Sequence, residues 1–341
     1  MFSDKFFSKR TVSMACFLPL VLFFTGCKKQ IIEVIPAIGY ESISVASQHD
    51  VVEISFPGVN TGYIGCQTET ERTFENEFEN AYYKTTNGGK TWVELTVPGG
   101  SNVEVRNVCF PNDSMGLIVN GKNICFTKNG GSTWSVVSDD GICADIDASG
   151  NLYYTERSGL WNVLIFKYNF TYNIFTYYAT LYVEESNKTG GRICGSYLYI
   201  LTTNDYDNGF IHGYNLVTKT VDDIGFGSLS SGEDIMDIVS AGESFAIAAK
   251  RGNIIAKGIN DTYGQVYLQH HYDYYSVDCN NDYFVAVGNK TISSNVTGEW
   301  QEVFDLNGDG FSHTFYTVRF CSDKEFYIGG NNGLIWKGTL E

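Results

Sequence analysis

The octet Thr85-Thr86-Asn87-Gly88-Gly89-Lys90-Thr91-Trp92 returns as Thr127-Lys128-Asn129-Gly130-Gly131-Ser132-Thr133-Trp134, with six of eight positions identical and the two starts 42 residues apart. Self-similarity at a fixed step of this size restricts a chain to repeated supersecondary units. The octet has the chemistry of a hairpin turn. Asn-Gly-Gly supplies positive φ, the Thr hydroxyl and Asn amide can satisfy turn backbone groups, and the Trp opens the following strand. A worn third copy, Ser293-Ser294-Asn295-Val296-Thr297-Gly298-Glu299-Trp300, starts 166 residues after the second, which is four steps of 41.5.

A second pattern precedes the octets. Phe56-Pro57-Gly58-Val59-Asn60-Thr61-Gly62-Tyr63-Ile64 aligns without gaps to Phe110-Pro111-Asn112-Asp113-Ser114-Met115-Gly116-Leu117-Ile118, and Phe320-Cys321-Ser322-Asp323 opens the same frame. One unit therefore reads as strand, short turn, strand, loop, strand, octet turn, strand. Period-two and turn signals place first strands at Val51, Val105, Cys143, Arg192, Ile235, Tyr275 and Phe315. With 36 Gly, 23 Tyr and 23 Phe, the composition favours strands and tight turns over helices. Four strands in about 40 residues is a propeller blade. The expected fold is all-β: a single β-propeller of about seven four-stranded blades over 40–341. The last unit runs out after three strands at Trp336-Lys337-Gly338, and Glu41–Ala46 is the segment that can supply the missing outer strand and close the ring. Six blades, with one middle unit misassigned, is the alternative count.

The octet resembles the Asp-box, or BNR repeat, Ser/Thr-x-Asp-x-Gly-x-Thr-Trp, with Asn in place of Asp. Sialidases, sortilin-type receptors, xyloglucan-cleaving enzymes and the photosystem II stability/assembly factor family carry such repeats. The seven-unit layout ending in Gly329-Gly330-Asn331-Asn332-Gly333 is most similar to the assembly-factor-like group. The resemblance implies Asp-box turns in which Thr85, Asn87, Gly89, Trp92, Thr127, Asn129, Gly131, Trp134 and Trp300 are structural. It implies no activity, because unlike chemistries share this fold.

The chain opens with a targeting pattern. Lys5, Lys9 and Arg10 precede an apolar run from Val12 to Phe24, too short to span a bilayer as a stable helix. Phe24-Thr25-Gly26-Cys27 resembles the lipobox of bacterial lipoproteins. That implies a signal peptide over 1–26, lipid on Cys27 and a tether over 27–39; an ordinary cleaved signal peptide with an incidental Cys is the alternative. The expected address is export with a lipid anchor in a bacterial membrane. Seven cysteines follow, an odd number with no CxxC spacing, and most lie in apolar strand patterns such as Val108-Cys109-Phe110, so buried thiols are expected, with one disulfide left open.

The formal net charge is −16 and falls to −18 once the leader is removed. Such acidity excludes a phosphate-tracking nucleic-acid surface. Much of the acid falls in loops assigned to the face opposite the octet turns. Gly62 to Asn87 spans 25 residues where Gly116 to Asn129 spans 13, and the insertion carries Glu69, Glu71, Glu75, Glu77 and Glu79. Asp205 and Asp207 flank Tyr206, and His270-His271-Tyr272-Asp273-Tyr274 leads into the sixth unit. Glu69, Glu71, Glu75, Glu77, Glu79, Asp205, Asp207, His271 and Asp273 are the candidate ligand-binding face. Asp305-Leu306-Asn307-Gly308-Asp309-Gly310 matches the first half of a calcium loop, with Asp305, Asn307 and Asp309 as oxygen ligands; a plain Asn-Gly/Asp-Gly turn is the other reading, and calcium is the one cofactor the residues raise.

An enzyme of this type needs facing carboxylates, or, for a sialidase, a tyrosine nucleophile and an arginine triad. Arg106, Arg192 and Arg319 lie on first strands, but plain alternation sets Arg106 and Arg319 on opposite strand faces. The Phe/Tyr-Arg-Ile-Pro signature is absent, as are Gly-x-Ser-x-Gly, His-Glu-x-x-His and a P-loop. The expected function is a non-catalytic, envelope-anchored propeller that binds a protein, peptide or glycan through one acidic, aromatic face. Membrane contact is through the lipid alone. A glycoside hydrolase or sialidase-like enzyme is the alternative.

Overall fold

The computed structural model describes residues 38–45, 47–70, 77–183, 187–203, 209–222, 235–241, 244–250, 253–257, 263–267, 272–280, 283–295, 300–305 and 313–340. They form seven antiparallel sheets of four strands each. The first strands are Asp50–Ser55, Val105–Cys109, Gly141–Ile146, Asn187–Cys194, Ile235–Ala241, Tyr274–Cys279 and Phe315–Phe320. In six sheets the strands follow in chain order. In the seventh, Phe315–Phe320, Glu325–Gly330 and Leu334–Leu340 are joined at the outer edge by Ile38–Ser44, which runs in register from Ile38 opposite Leu340 to Ser44 opposite Leu334. Each first strand touches that of the next sheet, and Phe315–Phe320 returns to touch Asp50–Ser55. The expected starts at Val105, Ile235 and Phe315 coincide with the observed ones. The fourth begins at Asn187 and not at Arg192, because the strand runs on through Gly190-Gly191, where a Cβ on Gly191 would meet the Tyr199 carbonyl oxygen at 2.7 Å and Cys143 Sγ at 2.8 Å.

Neighbouring sheets are cemented by aromatic rings. Phe56 stacks on Tyr327 of the preceding sheet at 3.6 Å between centroids, and Phe110 stacks on Tyr63 at 3.5 Å. Each Phe also receives the octet tryptophan of its own sheet edge-on, Trp92 at 6.2 Å and Trp134 at 6.3 Å. The glycine six residues after each Phe is required by this packing, since a Cβ on Gly62 or Gly116 would lie 2.3 or 2.2 Å from the ring.

The two octets close identical turns. Thr85 Oγ1 accepts the N–H groups of Asn87 and Gly89 at 3.3 and 2.9 Å, and Asn87 Oδ1 accepts that of Thr91 at 2.9 Å. Thr127 Oγ1 and Asn129 Oδ1 repeat this at 3.3, 3.0 and 2.9 Å. Gly88 and Gly89 sit at φ 69° and 87°, Gly130 and Gly131 at 64° and 88°, as the turn demands. In the third copy Asn295 does something different. Its Oδ1 accepts the Phe284 N–H at 2.7 Å, while Trp300 packs on the Phe284 ring at 6.2 Å. Thr127 is buried, so Thr127→Ala leaves two N–H groups without their acceptor. We expect it to lower unfolding free energy by about 2 kcal/mol in urea titration, with Thr127→Ser recovering most of the loss.

All seven described cysteines are free thiols, five of them buried. Burial pushes the Cys143 thiol up to about 12, which keeps it protonated and unreactive at neutral pH.

Candidate functional site

The inner edge of each first strand has no ladder partner, so its inward backbone N–H groups must be met from elsewhere. Side chains of the preceding sheet meet them. Phe110 N–H donates to Ser55 Oγ at 3.0 Å, Ile193 N–H to Asp145 Oδ2 at 2.8 Å and Phe320 N–H to Asp278 Oδ2 at 2.7 Å. Two residues earlier on the strands, Ala144 N–H donates to Asn107 Oδ1 at 3.3 Å, Val277 N–H to Asp237 Oδ2 at 3.2 Å and Val318 N–H to Ser276 Oγ at 3.3 Å. These two tiers recur because every first strand carries a register shift at the same place: Val51/Glu53, Val105/Asn107, Gly141/Cys143, Lys188/Gly190, Ile235/Asp237, Tyr274/Ser276 and Phe315/Thr317. A bulge resets the alternation and turns the residues after it inward.

Counted from the bulge, Arg192 and Arg319 occupy the same tier as Ser55, Asp145 and Asp278. Arg192 bridges two sheets, with Nη1 3.0 Å from Asp237 Oδ2 and Nη2 2.5 Å from Asp278 Oδ1, and it also donates to the Val277 carbonyl at 2.6 Å. Arg319 Nη1 lies 3.3 Å from Asp237 Oδ2 and donates to Ser276 Oγ at 2.9 Å, while Nη2 is 3.7 Å from Glu53. Asp237 is thus held by two guanidiniums, the Ser276 hydroxyl and the N–H groups of Val277 and Ile238. Burial works against its charge, but Arg192 and Arg319 hold its carboxyl below the ordinary range. Arg319 and Arg192 pull the Glu53 carboxyl down from a distance, but burial outweighs them and pushes it up to about 7. Burial also raises Asp145, although Arg192 opposes the shift.

These groups line a central cavity of about 1410 Å³ to which all seven first strands contribute. Its mouth, at the end where the first strands begin, is lined by Asp50, Glu69, Lys250, Tyr275 and Tyr316. The structure of YCF48 bound to D1 peptide aligns with 89% of this chain and 97% of its own, at a TM-score of 0.66 and 14% identity. The fold is that of a β-propeller. YCF48 from Cyanidioschyzon merolae aligns with 87% of this chain and 98% of its own at a TM-score of 0.42 and 13% identity. No family model matches the chain, and no curated protein matches it.

Within the propeller, the residues expected on the binding face separate. Glu69 lines the cavity mouth. Glu77 and Glu79 are exposed on the third strand of the first sheet, opposite Thr70 and Thr68, whereas Glu69 stands opposite Phe78. Cross-strand partners share a face, so Glu69 points to the other side from Glu77 and Glu79. Asp273 immediately precedes the sixth first strand, and its carbonyl accepts the Asn289 N–H at 2.8 Å. Glu71, Glu75, Asp205, Asp207, His271 and Cys27 lie outside the described residues. So do Asn307 and Asp309, while Asp305 ends the strand Gln301–Asp305. Among the described residues no group of three or more His, Cys, Asp or Glu is placed to hold a metal ion.

The arginine expectation needs correction. Arg106, Arg192 and Arg319 all line the cavity, because the bulge between Val105 and Asn107 breaks the alternation that set Arg106 apart. They are not poised for an anionic substrate, since Arg106 pairs with Glu104 at 2.7 Å and the other two with the carboxylates above. Sequence reasoning missed the carboxylates of this network. The available signal was charge embedded in apolar first strands at repeat spacing: Arg192, Asp237, Asp278 and Arg319.

Proposed function

We propose that the chain is a non-catalytic propeller that binds a protein or peptide partner at the mouth of its central cavity, held at the envelope by lipid on Cys27. In this reading the seven sheets are seven blades closed by Ile38–Ser44, and the octets are Asp-box turns. One observation carries it: Arg192, Arg319, Asp145, Asp237 and Asp278 inside the cavity are committed to one another and to backbone groups. Asp145, Asp237 and Asp278 each satisfy a neighbouring strand, a structural duty that competes with service as nucleophile or base. What faces outward is a concave, tyrosine-bearing mouth, with the carboxylates of Asp50 and Glu69 and with Lys250, of the kind a rigid scaffold offers a partner. That a propeller of this fold, YCF48, has been seen with D1 peptide is in keeping with it.

The test is selection of random displayed peptides on the mature chain, followed by titration of the winners. Tyr275→Ala is expected to weaken them at least tenfold and Lys90→Glu, on the octet face, to leave them unchanged. Equal loss from both changes would refute the placement. One observation favours a second reading. Glu53 raised to about 7 and Asp237 held low are separated carboxyls joined through Arg319, the pattern of an acid and its partner. Release of sugar from a glycoside panel that stops in Glu53→Gln would establish a hydrolase in place of the scaffold.

A further inference from the structure

The mouth of the cavity contains more than acid. Tyr275 and Tyr316 are neighbours from adjacent sheets, their ring centroids 5.7 Å apart and their planes inclined by 32°. Each sits at the bulged position of its first strand, between Tyr274 and Ser276 and between Phe315 and Thr317, where the extra residue is turned out of the ladder. Both rings are part-exposed and line the cavity. The Asp50 and Glu69 carboxylates both act on the Tyr316 hydroxyl and, together with burial, hold it in its neutral form. Asp273, two residues before Tyr275, acts on the Tyr275 hydroxyl through its charge. Two tyrosines from the sixth and seventh sheets thus feel three carboxylates, two from the first sheet and one from the approach to the sixth.

Asp50 shows how the cluster is charged. Its Oδ1 accepts the Asn332 N–H at 2.9 Å. That donor is neutral, so it orients the Asp50 charge without cancelling it. The faces of the two tyrosine rings attract cations. Ring faces with carboxylates spaced around them suit an organic cation, whose charge is spread over several N–H donors and whose stem is apolar.

We propose that Tyr275, Tyr316, Asp50, Glu69 and Asp273 form a cradle for a cationic side chain, the ammonium of a lysine or the guanidinium of an arginine on a peptide partner. The proposal rests on the partner-binding reading and supplies its chemistry: the acidic mouth selects a basic residue and the cavity behind it admits the stem.

The test uses the mature chain with ring-labelled tyrosine, in which Tyr275→Phe and Tyr316→Phe assign the two ring signals. The probes are n-butylammonium and n-butanol, which share a stem and differ in charge. Saturable shifts of both rings with butylammonium and not with butanol are expected. Raising salt should weaken them, as should Asp50→Asn, by about tenfold. Equal responses to the two probes, or no response to either, overturn the cradle; the probes differ on the ligand side, so that outcome depends on no variant folding. Peptide selection separates the two ideas. Winners that bind the mouth with no basic residue keep the partner reading and overturn the cradle. Butylammonium binding with no peptide ever enriched keeps the cradle and removes the peptide partner.

Discussion

Asp237→Ala is expected to destabilise the fold by about 4 kcal/mol, the largest effect of any single change in the cavity. The carboxylate is only 11% exposed and receives Arg192 at 3.0 Å and Arg319 at 3.3 Å. It also receives the Ser276 hydroxyl at 2.8 Å and the Val277 N–H at 3.2 Å, so one side chain ties sheets four, five, six and seven together. Breaking a buried pair by removing one partner costs about 3–5 kcal/mol, chiefly because a desolvated charge is left behind. Here two guanidiniums lose a partner at once, though Arg192 keeps Asp278 at 2.5 Å and Arg319 keeps Ser276 at 2.9 Å. The measurement is the urea midpoint at unchanged slope. The mechanism also predicts a rescue. Arg192→Met combined with Asp237→Leu removes both members of one pair and should cost less than the two single losses added together, although it leaves Asp278 without its arginine. If the double variant loses the full sum of its parts, the loss comes from packing and not from stranded charge.

The ring was legible in the chain because its cause is local. Asn-Gly-Gly with a following Trp closes one hairpin wherever it occurs, and the Phe-to-Gly spacing in 56–62 and 110–116 records a ring lying flat over a residue that can have no Cβ. The same locality explains the slip at Arg192: a glycine pair reads as a break when no neighbour is visible, and only Tyr199 and Cys143 pressing on Gly191 show why glycine is needed inside that strand. The cavity was less legible. Strict alternation fails one residue after a bulge, and nothing local marks Val105/Asn107 as bulged, so the sequence pattern sets Arg106 on the wrong side. The mouth was half visible. Glu69 and Asp273 stand out as acid in loops, but Tyr275 and Tyr316 read as ordinary strand residues. Their pairing depends on two strands 41 residues apart in sequence being adjacent in the ring.

Stability is expected to fall as pH rises from about 4.5 to 7, the reverse of the usual carboxylate trend, and Glu53 is the reason. Its side chain is 16% exposed, its nearest cation is Arg319 at 3.7 Å, and that guanidinium is shared with Asp237. Burial raises the carboxyl from an ordinary value of 4.5 to about 7; Arg319 and Arg192 pull it down, while Asp237 and Asp145 push it further up. Between those two values the folded chain holds a proton that the unfolded chain has released, so the unfolded state is favoured progressively as pH increases. The whole span corresponds to about 3 kcal/mol. Asp145, also raised by burial, adds a slope of the same sign. Asp237 acts oppositely, because its folded value is lowered, and its contribution disappears only on acidification below the ordinary aspartate range. Glu53→Gln carries no proton to lose. Urea unfolding of parent and variant at intervals from pH 4.5 to 8 should therefore give curves that start close together and diverge, with the variant the more stable at pH 8. Parallel curves would mean that Glu53 is ionised throughout. Its carboxylate would then be paired with Arg319 more tightly than 3.7 Å allows, and the protonated partner needed for glycoside chemistry would be gone with it.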